Sequence, residues 1–140
     1  MLSLQNMKLL SPKSFFLEES LAIIRIAVGL MMAYHGLEIF NSKTMAEYAT
    51  WEVIKKLPFS DYMAYVGKGI ELVSGILFVV GLYTRIAAVF MAGNMLFICF
   101  VIGNGRFYYE EQHPFLFAVL AIVFIFTGPM KWALDFKFFK

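Results

Sequence analysis

The sequence predicts an all-α protein, a bundle of four transmembrane helices. Of its 140 residues, 61% are hydrophobic and only 16% are charged, and the apolar residues gather in long runs. A helix needs roughly 20 apolar residues to cross a hydrocarbon core of about 30 Å. Four stretches approach that length: Leu21–Phe40, Met63–Leu82, Ile86–Gly103 and Pro114–Leu134. A chain this short has room for one membrane domain, residues 21–140, after an N-terminal segment.

The N-terminal segment, residues 1–20, is polar and mixed in character. Its Ser11-Pro12-Lys13-Ser14 run predicts a turn, and the Phe15-Phe16 pair suits a membrane surface, so we expect an interfacial or cytoplasmic segment. The apolar run that follows is long enough to span and carries His35 and Glu38 where a signal peptide would have small cleavage-site residues. We therefore expect it to stay as the first span.

The longest hydrophilic connection, residues 41–62, lies between spans one and two. It carries Tyr48 and Trp51 among charged residues, a pattern that predicts a short amphipathic helix, and Pro58 would end that helix. Lys and Arg residues are somewhat more numerous on the side of the termini than on the side of this connection, which predicts that both termini are cytoplasmic.

The remaining connections are short. Only Tyr83-Thr84-Arg85 separates spans two and three, so these helices are predicted to form an antiparallel hairpin. Gly103-Asn104-Gly105 would end span three, and Pro114 suits the first turn of span four.

Composition also excludes several classes of function. The net charge is only +2 and the basic residues are dispersed, so no footprint for nucleic acid is present. The single cysteine, Cys99, excludes an intramolecular disulfide. We find no Ser/His/Asp, Walker-type, zinc-protease or dinucleotide-binding motif, so this chain alone shows no catalytic apparatus.

A polar layer is predicted inside the bundle, centred on Glu71 in span two. A charged side chain within a span costs roughly 2.5–3.5 kcal/mol on insertion scales and marks a site hypothesis. Lys68, one turn earlier, is a candidate counter-ion, and His35 and Glu38 near the end of span one belong to the same side of the membrane. We therefore predict these four residues as a ligand, proton or polar-core site.

Each of these residues also has a structural interpretation. A Glu71–Lys68 ion pair would hold the bundle together without any chemistry, or Lys68 would extend toward the headgroups. His35 would then be a hydrogen-bonded packing residue. The group Glu110, Glu111 and His113 loosely resembles metal ligands but has no recognised ligand spacing, so no metal is predicted.

On the opposite side of the membrane, three residues are candidates for structural ion pairs. Arg25 enters span one, Arg85 follows the hairpin turn and Asp135 follows span four. Arg25 with Asp135 is the predicted pair. The glycines point to close helix packing, because Gly67 and Gly75 flank Glu71 at intervals of four, and Gly29 and Gly36 lie near one face of span one.

Three segments resemble the DoxX family and together cover nearly all of residues 21–135. They are Arg25-Ile-Ala-Val-Gly29-Leu-Met-Met-Ala-Tyr-His35-Gly36-Leu-Glu38, Gly69-Ile-Glu71-Leu-Val-Ser-Gly75-Ile-Leu-Phe-Val-Val-Gly81-Leu-Tyr-Thr-Arg85-Ile-Ala-Ala88 and Gly128-Pro-Met-Lys-Trp-Ala-Leu-Asp135. The second segment is the most specific. The resemblance implies a four-helix protein of the bacterial or archaeal cytoplasmic membrane, linked to thiosulfate:quinone oxidoreductase and to oxidative-stress systems.

The sequence departs from the family pattern at two positions. Glu38 stands where the family commonly has a lysine, and Pro129 stands where a second glycine is frequent. We therefore expect a rewired polar network in which Lys68 supplies the cation that position 38 lacks.

Two functions of different classes follow. The first is an accessory subunit of a quinone-linked oxidoreductase, with Glu71, His35 and Lys68 lining a pocket or proton path and a quinone as candidate ligand. The alternative is a non-catalytic scaffold or assembly component of an envelope or secretion complex. Besides the lipid bilayer, the expected partners are other subunits or further copies of this chain. A transporter is less favoured, because no internal repeat or broken helix is visible.

Overall fold

Helices account for most of residues 11–139, the part of the chain that this computed structural model describes, and no β-strand occurs there. The predicted all-α fold is confirmed. In chain order the elements are α1 (Leu17–Gly36) with a 3₁₀ turn (Leu37–Phe40), α2 (Ser42–Ala49), α3 (Glu52–Lys55), α4 (Ser60–Val80), α5 (Thr84–Phe97) with a π-helical extension (Ile98–Ile102), α6 (Gln112–Thr127) and α7 (Asp135–Phe138).

Three helical segments are long and apolar enough to cross a membrane: Leu17–Phe40, Ser60–Val80 and Thr84–Ile102. The predicted fourth span, Pro114–Leu134, is wrong in its last third, because α6 ends at Thr127 after 16 residues. Gly128 adopts a φ of 76° there, and Pro129 has no N–H with which to continue the helix. At about 1.5 Å per residue α6 measures about 24 Å, shorter than a full crossing, so a count of four spans stays a prediction.

Close contact between α1 and α4 depends on glycine, as the small-residue pattern predicts. A Cβ atom added at Gly36 would overlap the backbone of Leu72, and one added at Gly75 would overlap the backbone of Ala33. A Cβ at Gly29 would lie 2.7 Å from the carbonyl oxygen of Gly75. The two helices therefore touch backbone to backbone, which places the end of α1 directly beside the middle of α4.

The apolar core lies between these two helices and the α5–α6 pair. Phe78 of α4 and Phe124 of α6 are fully buried and pack edge to face, with ring centroids 5.3 Å apart. Small alanines on α5 and α6, including Ala88, Ala118 and Ala121, are also fully buried and let these helices approach. The remaining large apolar side chains mostly face outward, as expected of a protein surrounded by lipid.

The connection at residues 41–62 forms two short helices rather than one. Asn41 caps α2, its side chain accepting hydrogen bonds from the backbone of Lys43 and Thr44. Met45 of α2 and Ile54 of α3 are buried against the bundle, which confirms the predicted amphipathic character. The N-terminal segment predicted for residues 1–20 is shorter than expected, because α1 already begins at Leu17. Residues 11–16 precede α1 as bends, and the first ten residues lie outside the described part.

Candidate functional site

Four side chains form a connected polar network at the end of the bundle nearest α2; we call Glu38, Tyr48, Lys68 and Glu71 the Glu71 cluster. The Lys68 Nζ atom lies 2.9 Å from Glu38 Oε2 and 2.9 Å from Glu71 Oε2. The Tyr48 hydroxyl donates to Glu38 Oε2 over 2.7 Å. Only 4% of the Glu71 side chain and 15% of the Lys68 side chain are exposed, so the ion pair lies inside the fold.

Local structure explains how these residues meet. Lys68 and Glu71 are three residues apart on α4 and so lie on one face of that helix. Glu38 lies in the 3₁₀ turn that ends α1, and the contact of Gly36 with α4 brings that turn to Lys68. As predicted, Lys68 provides the cation that the Glu38 position lacks. Its side chain is long enough for the ammonium to contact the carboxylates of both Glu38 and Glu71.

Tyr48 is a member that the sequence analysis placed only in the amphipathic connection. Burial, followed by the hydrogen bond to the Glu38 carboxylate, raises the pKa of Tyr48 to about 12. The Lys68 ammonium also lies 5.5 Å from the centre of the Tyr48 ring, within the range of a cation–π contact. Tyr48 therefore stays protonated and donates to Glu38 at physiological pH.

His35 lies beside the Glu71 cluster, together with His113 from the start of α6. Their ring centroids are 5.2 Å apart. A small cavity of about 150 Å³ is lined by both histidines and by Lys68 and Glu71. The predicted meeting of His35 with Glu71 around one space is thus present, and His113 joins them because α6 begins at the same end of the bundle.

The loose metal constellation of Glu110, Glu111 and His113 is not assembled. Glu110 binds the side chains of Asn104 and Arg106, while the Glu111 carboxylate accepts from the backbone of Asn104. His113 turns instead toward His35. Among residues 11–139, no three His, Cys, Asp or Glu side chains come together as a metal site.

A second and larger cavity, of about 500 Å³, lies between α4 and α5 and reaches α2 and α3. Its polar end is formed by Tyr48, Lys68, Glu71 and Asn94, and the rest of its wall is almost entirely apolar. A Cβ added at Gly93 would meet nothing within 4 Å, so this glycine contributes open space.

The large cavity opens on an outward-facing surface of the bundle. Val66 of α4 is 54% exposed, and Val89 and Phe90 of α5 are 54% and 59% exposed, although all three line the cavity. On helices that cross a membrane, such apolar surfaces face lipid. The sequence analysis missed this side of α5; the available signal was Asn94, an amide in the middle of an apolar run, whose side chain donates to the carbonyl oxygen of Gly67 over 3.3 Å.

The other end of the bundle holds the Arg25 cluster: Arg25, Asp135 and the backbone groups that they bind. Arg25 is fully buried, and its guanidinium donates to four backbone carbonyl oxygens. The acceptors are Phe78 at 2.9 Å, Lys131 at 3.1 Å, Trp132 at 3.0 Å and Pro129.

The predicted Arg25–Asp135 ion pair is wrong. Asp135 instead accepts from the backbone N–H groups of Tyr83, at 2.6 Å, and Thr84, at 3.0 Å, at the start of α5. The non-helical backbone after α6 leaves carbonyls that no helix satisfies, and Arg25 binds these, while the free N–H groups at a helix N-terminus attract the Asp135 carboxylate. Arg85 is exposed and makes no salt bridge with any described residue; it lies near Gly128.

Comparison with known proteins gives a consistent family match. The family model described as DoxX matches residues 20–104. An "Uncharacterized protein" of Haemophilus influenzae is 34% identical over 131 residues, covering 86% of this chain and 91% of the relative. "Putative oxidoreductase CatD" of Bacillus subtilis is 30% identical over 129 residues, covering 91% and 92% of the two chains. No solved structure matches this chain.

Proposed function

Since this chain belongs to the DoxX family of membrane proteins, we propose that it is an accessory subunit of a quinone-linked membrane oxidoreductase and that it holds the quinone in the large cavity between α4 and α5. The proposal is supported by one observation above all. An apolar cavity of about 500 Å³ ends at the Lys68 ammonium, the Tyr48 phenol and the buried Glu71 carboxylate. This arrangement suits a ligand with a polar ring and a hydrophobic tail.

The size and opening of the cavity fit this class of ligand. Small-molecule sites commonly measure about 300–1,000 Å³ and combine apolar walls with a few polar groups. The cavity suits a quinone ring and the first part of its tail. The rest of the tail would leave between Val66 and Phe90 into the lipid, because both residues line the cavity and remain exposed.

The Glu71 cluster supplies the polar contacts that a quinone needs. An ammonium group has three donor hydrogens, and Lys68 uses two of them on Glu38 and Glu71. The third would donate to a quinone carbonyl. Reduction of a quinone to a quinol takes two electrons and two protons. The electrons would come from a dehydrogenase partner with its own redox centre, and Glu71 would pass the two protons to the ring one after the other, taking up the second from the aqueous side.

One relative supports the redox class. The Bacillus subtilis relative, which carries the name "Putative oxidoreductase CatD", aligns with 91% of this chain. We propose that the protein lies in the cytoplasmic membrane of a bacterium or archaeon, as the family resemblance implies, and that both termini are cytoplasmic, on the balance of Lys and Arg residues. Further subunits or copies of this chain complete the proposed complex.

The two tryptophans allow a direct test. Trp51 lines the cavity, whereas Trp132 lies at the Arg25 end of the bundle. Quinones quench nearby tryptophan fluorescence, so a short-tailed ubiquinone titrated into the protein in nanodiscs should quench Trp51, observed alone in Trp132→Phe. The matched variant Trp51→Phe, which leaves only Trp132, should show just the weak quenching of a probe dissolved in lipid.

A cavity-filling variant separates specific binding from partition into lipid. Gly93→Leu places a side chain in open space and improves helix propensity, so the fold should persist while saturable quenching is lost. The control Leu116→Phe enlarges a residue that is 59% exposed on α6 and should bind as the wild type does. Equal, non-saturating quenching in all four variants would contradict the proposal.

A non-catalytic scaffold is the second candidate, and one observation favours it. Every charged side chain of the Glu71 cluster already has a partner within 3 Å. The cluster is therefore also consistent with a purely structural role, in which its ion pairs hold α1 against α4. On this view the chain binds no quinone, and substitutions in residues 48–56 or 108–113 disrupt its complex with a partner protein. Retention of a companion protein at fixed stoichiometry without any bound quinone would support the scaffold.

A further inference from the structure

The Glu71 cluster separates two cavities of different character. Lys68, Glu71 and Ile98 line both the large cavity and the small one. The large cavity is apolar and opens toward lipid-facing surfaces. The small cavity lies on the other side of the same carboxylate and extends to His113. Glu71 is therefore in contact with two spaces at once, one suited to a ligand and one suited to water.

The small cavity has the volume and the lining that ordered water requires. A buried water needs about 10–15 Å³ of probe volume and two to four polar partners, and the cavity offers about 150 Å³. Its polar lining consists of His35, Lys68, Glu71 and His113. Several waters therefore fit between the histidines and the carboxylate.

The two histidines lead from this cavity to the outside of the bundle. His113 is exposed at the start of α6 and follows a hydrophilic loop, whereas His35 is partly buried on α1. Their rings are in contact, with centroids 5.2 Å apart. Histidine is the side chain that both accepts and releases a proton near neutral pH. A metal is a poorer explanation, since no three His, Cys, Asp or Glu side chains of residues 11–139 lie close enough together to hold one.

We propose that His113, His35 and the water in the small cavity form the route by which Glu71 exchanges protons with the aqueous side of the membrane. One proton binds an imidazole nitrogen of His113, passes to His35 and the cavity water, and reaches the Glu71 carboxylate; no electron moves in these steps. The supply of this proton to a quinone rests on the proposed function, whereas the route itself does not. The ionisable groups that face Glu71 are His35 and Glu38 from α1 and its extension, Tyr48 from α2, Lys68 from α4 and His113 from α6.

The test follows the carboxyl band of Glu71 by time-resolved infrared spectroscopy after a pH jump, with the full chain in nanodiscs and no quinone present. The band is identified by its loss in Glu71→Gln. We expect His113→Ala and His35→Gln each to slow the response of the band roughly tenfold or more, while its final amplitude in His113→Ala stays that of the wild type. Imidazole added to the buffer should restore the rate of His113→Ala, which a purely structural role would not do.

Tyr108→Ala is the matched control, because it removes an exposed ring from the same loop without touching the route. Unchanged rates in both histidine variants would overturn the inference, and so would a wild-type band that does not respond to pH. Because the experiment contains no quinone, its failure would leave quinone binding to be judged by the fluorescence titration alone.

Discussion

The two ends of this bundle hold buried charge in different ways. At the end near the α4–α5 hairpin, the fully buried Arg25 binds only backbone carbonyl oxygens, and Asp135 binds only backbone N–H groups. At the other end, Lys68 binds only side chains, and its partners Glu38 and Glu71 belong to different helices. Glu71 lines both the large and the small cavity, and Arg25 lines neither of them.

Under the proposed function, this difference separates a structural use of charge at Arg25 from a chemical use at Glu71. Backbone acceptors have positions set by the fold, so the contacts of Arg25 persist as long as the segment after α6 keeps its shape. Carboxylates and ammonium groups on side chains are able to rotate, exchange protons and release one partner for a ligand. Burial of a charge therefore does not by itself identify a functional site. What favours the Glu71 cluster as the proposed site is that its partners are side chains and that two cavities adjoin it.

The largest effect is expected from Arg25→Met. The substitution keeps the apolar volume but leaves four carbonyls without a donor, and removal of one side of such a buried polar network typically costs about 3–5 kcal/mol. The free energy of unfolding, measured by titration with a denaturing detergent, should fall by about this amount. A decrease in unfolding free energy of less than about 1 kcal/mol would show that the Arg25 cluster does not stabilise the bundle as we describe.

A smaller loss is expected from Gly36→Ala, which acts on the Glu71 end alone. The added Cβ overlaps the backbone of Leu72, and overpacking of this kind costs about 1–3 kcal/mol. The turn that carries Glu38 should move away from Lys68. Gly93→Ala is the matched control, because its Cβ meets nothing within 4 Å, and it should leave stability unchanged or slightly higher in the same detergent titration.

Glu71→Gln should change stability least and function most. The amide oxygen still accepts from Lys68, so the expected loss in unfolding free energy is about 1 kcal/mol, whereas quinone affinity should fall at least about tenfold. Glu52→Gln is the control, since Glu52 and Lys55 form an exposed pair with the same three-residue spacing. If both variants bound quinone like the wild type, the Glu71 cluster would be structural, as the Arg25 cluster is.

The pH dependence of Tyr48 is the subtlest prediction. Its pKa of about 12 lies above the ordinary value of 10.0, because of burial and the hydrogen bond to Glu38. A raised folded-state pKa contributes stability below the unfolded value, and this contribution is lost as the pH rises from about 10 toward about 12. An ultraviolet titration should show one late tyrosine that is absent in Tyr48→Phe; a wild-type curve that matches this variant would contradict the network.

Much of the fold was predictable, because long apolar runs and a three-residue hairpin turn leave few arrangements of the first three long helices. The early end of α6 was not predicted: the apolar pattern continues to Leu134, and only the backbone geometry at Gly128 shows that the helix stops. The partner of Arg25 was missed for the same reason, since carbonyls that accept hydrogen bonds have no signature in the sequence.

The candidate site was predicted in part. Glu71, Lys68, Glu38 and His35 could be grouped by their depth along adjacent helices, and the structure brings them together. Tyr48, His113 and the Gly93–Asn94 face of α5 were not included, because their proximity depends on how the connections fold back over the bundle. The periodicity of residues along one helix carries no information about how these connections fold.

Native mass spectrometry of the protein, extracted gently from its own membranes, tests most directly the claim that the Glu71 cluster is a ligand site. The account predicts an added mass equal to a quinone in the wild type and in Leu116→Phe, and its loss in both Glu71→Gln and Gly93→Leu. A wild-type chain that carries no small molecule, or a quinone retained equally in all four proteins, would contradict it.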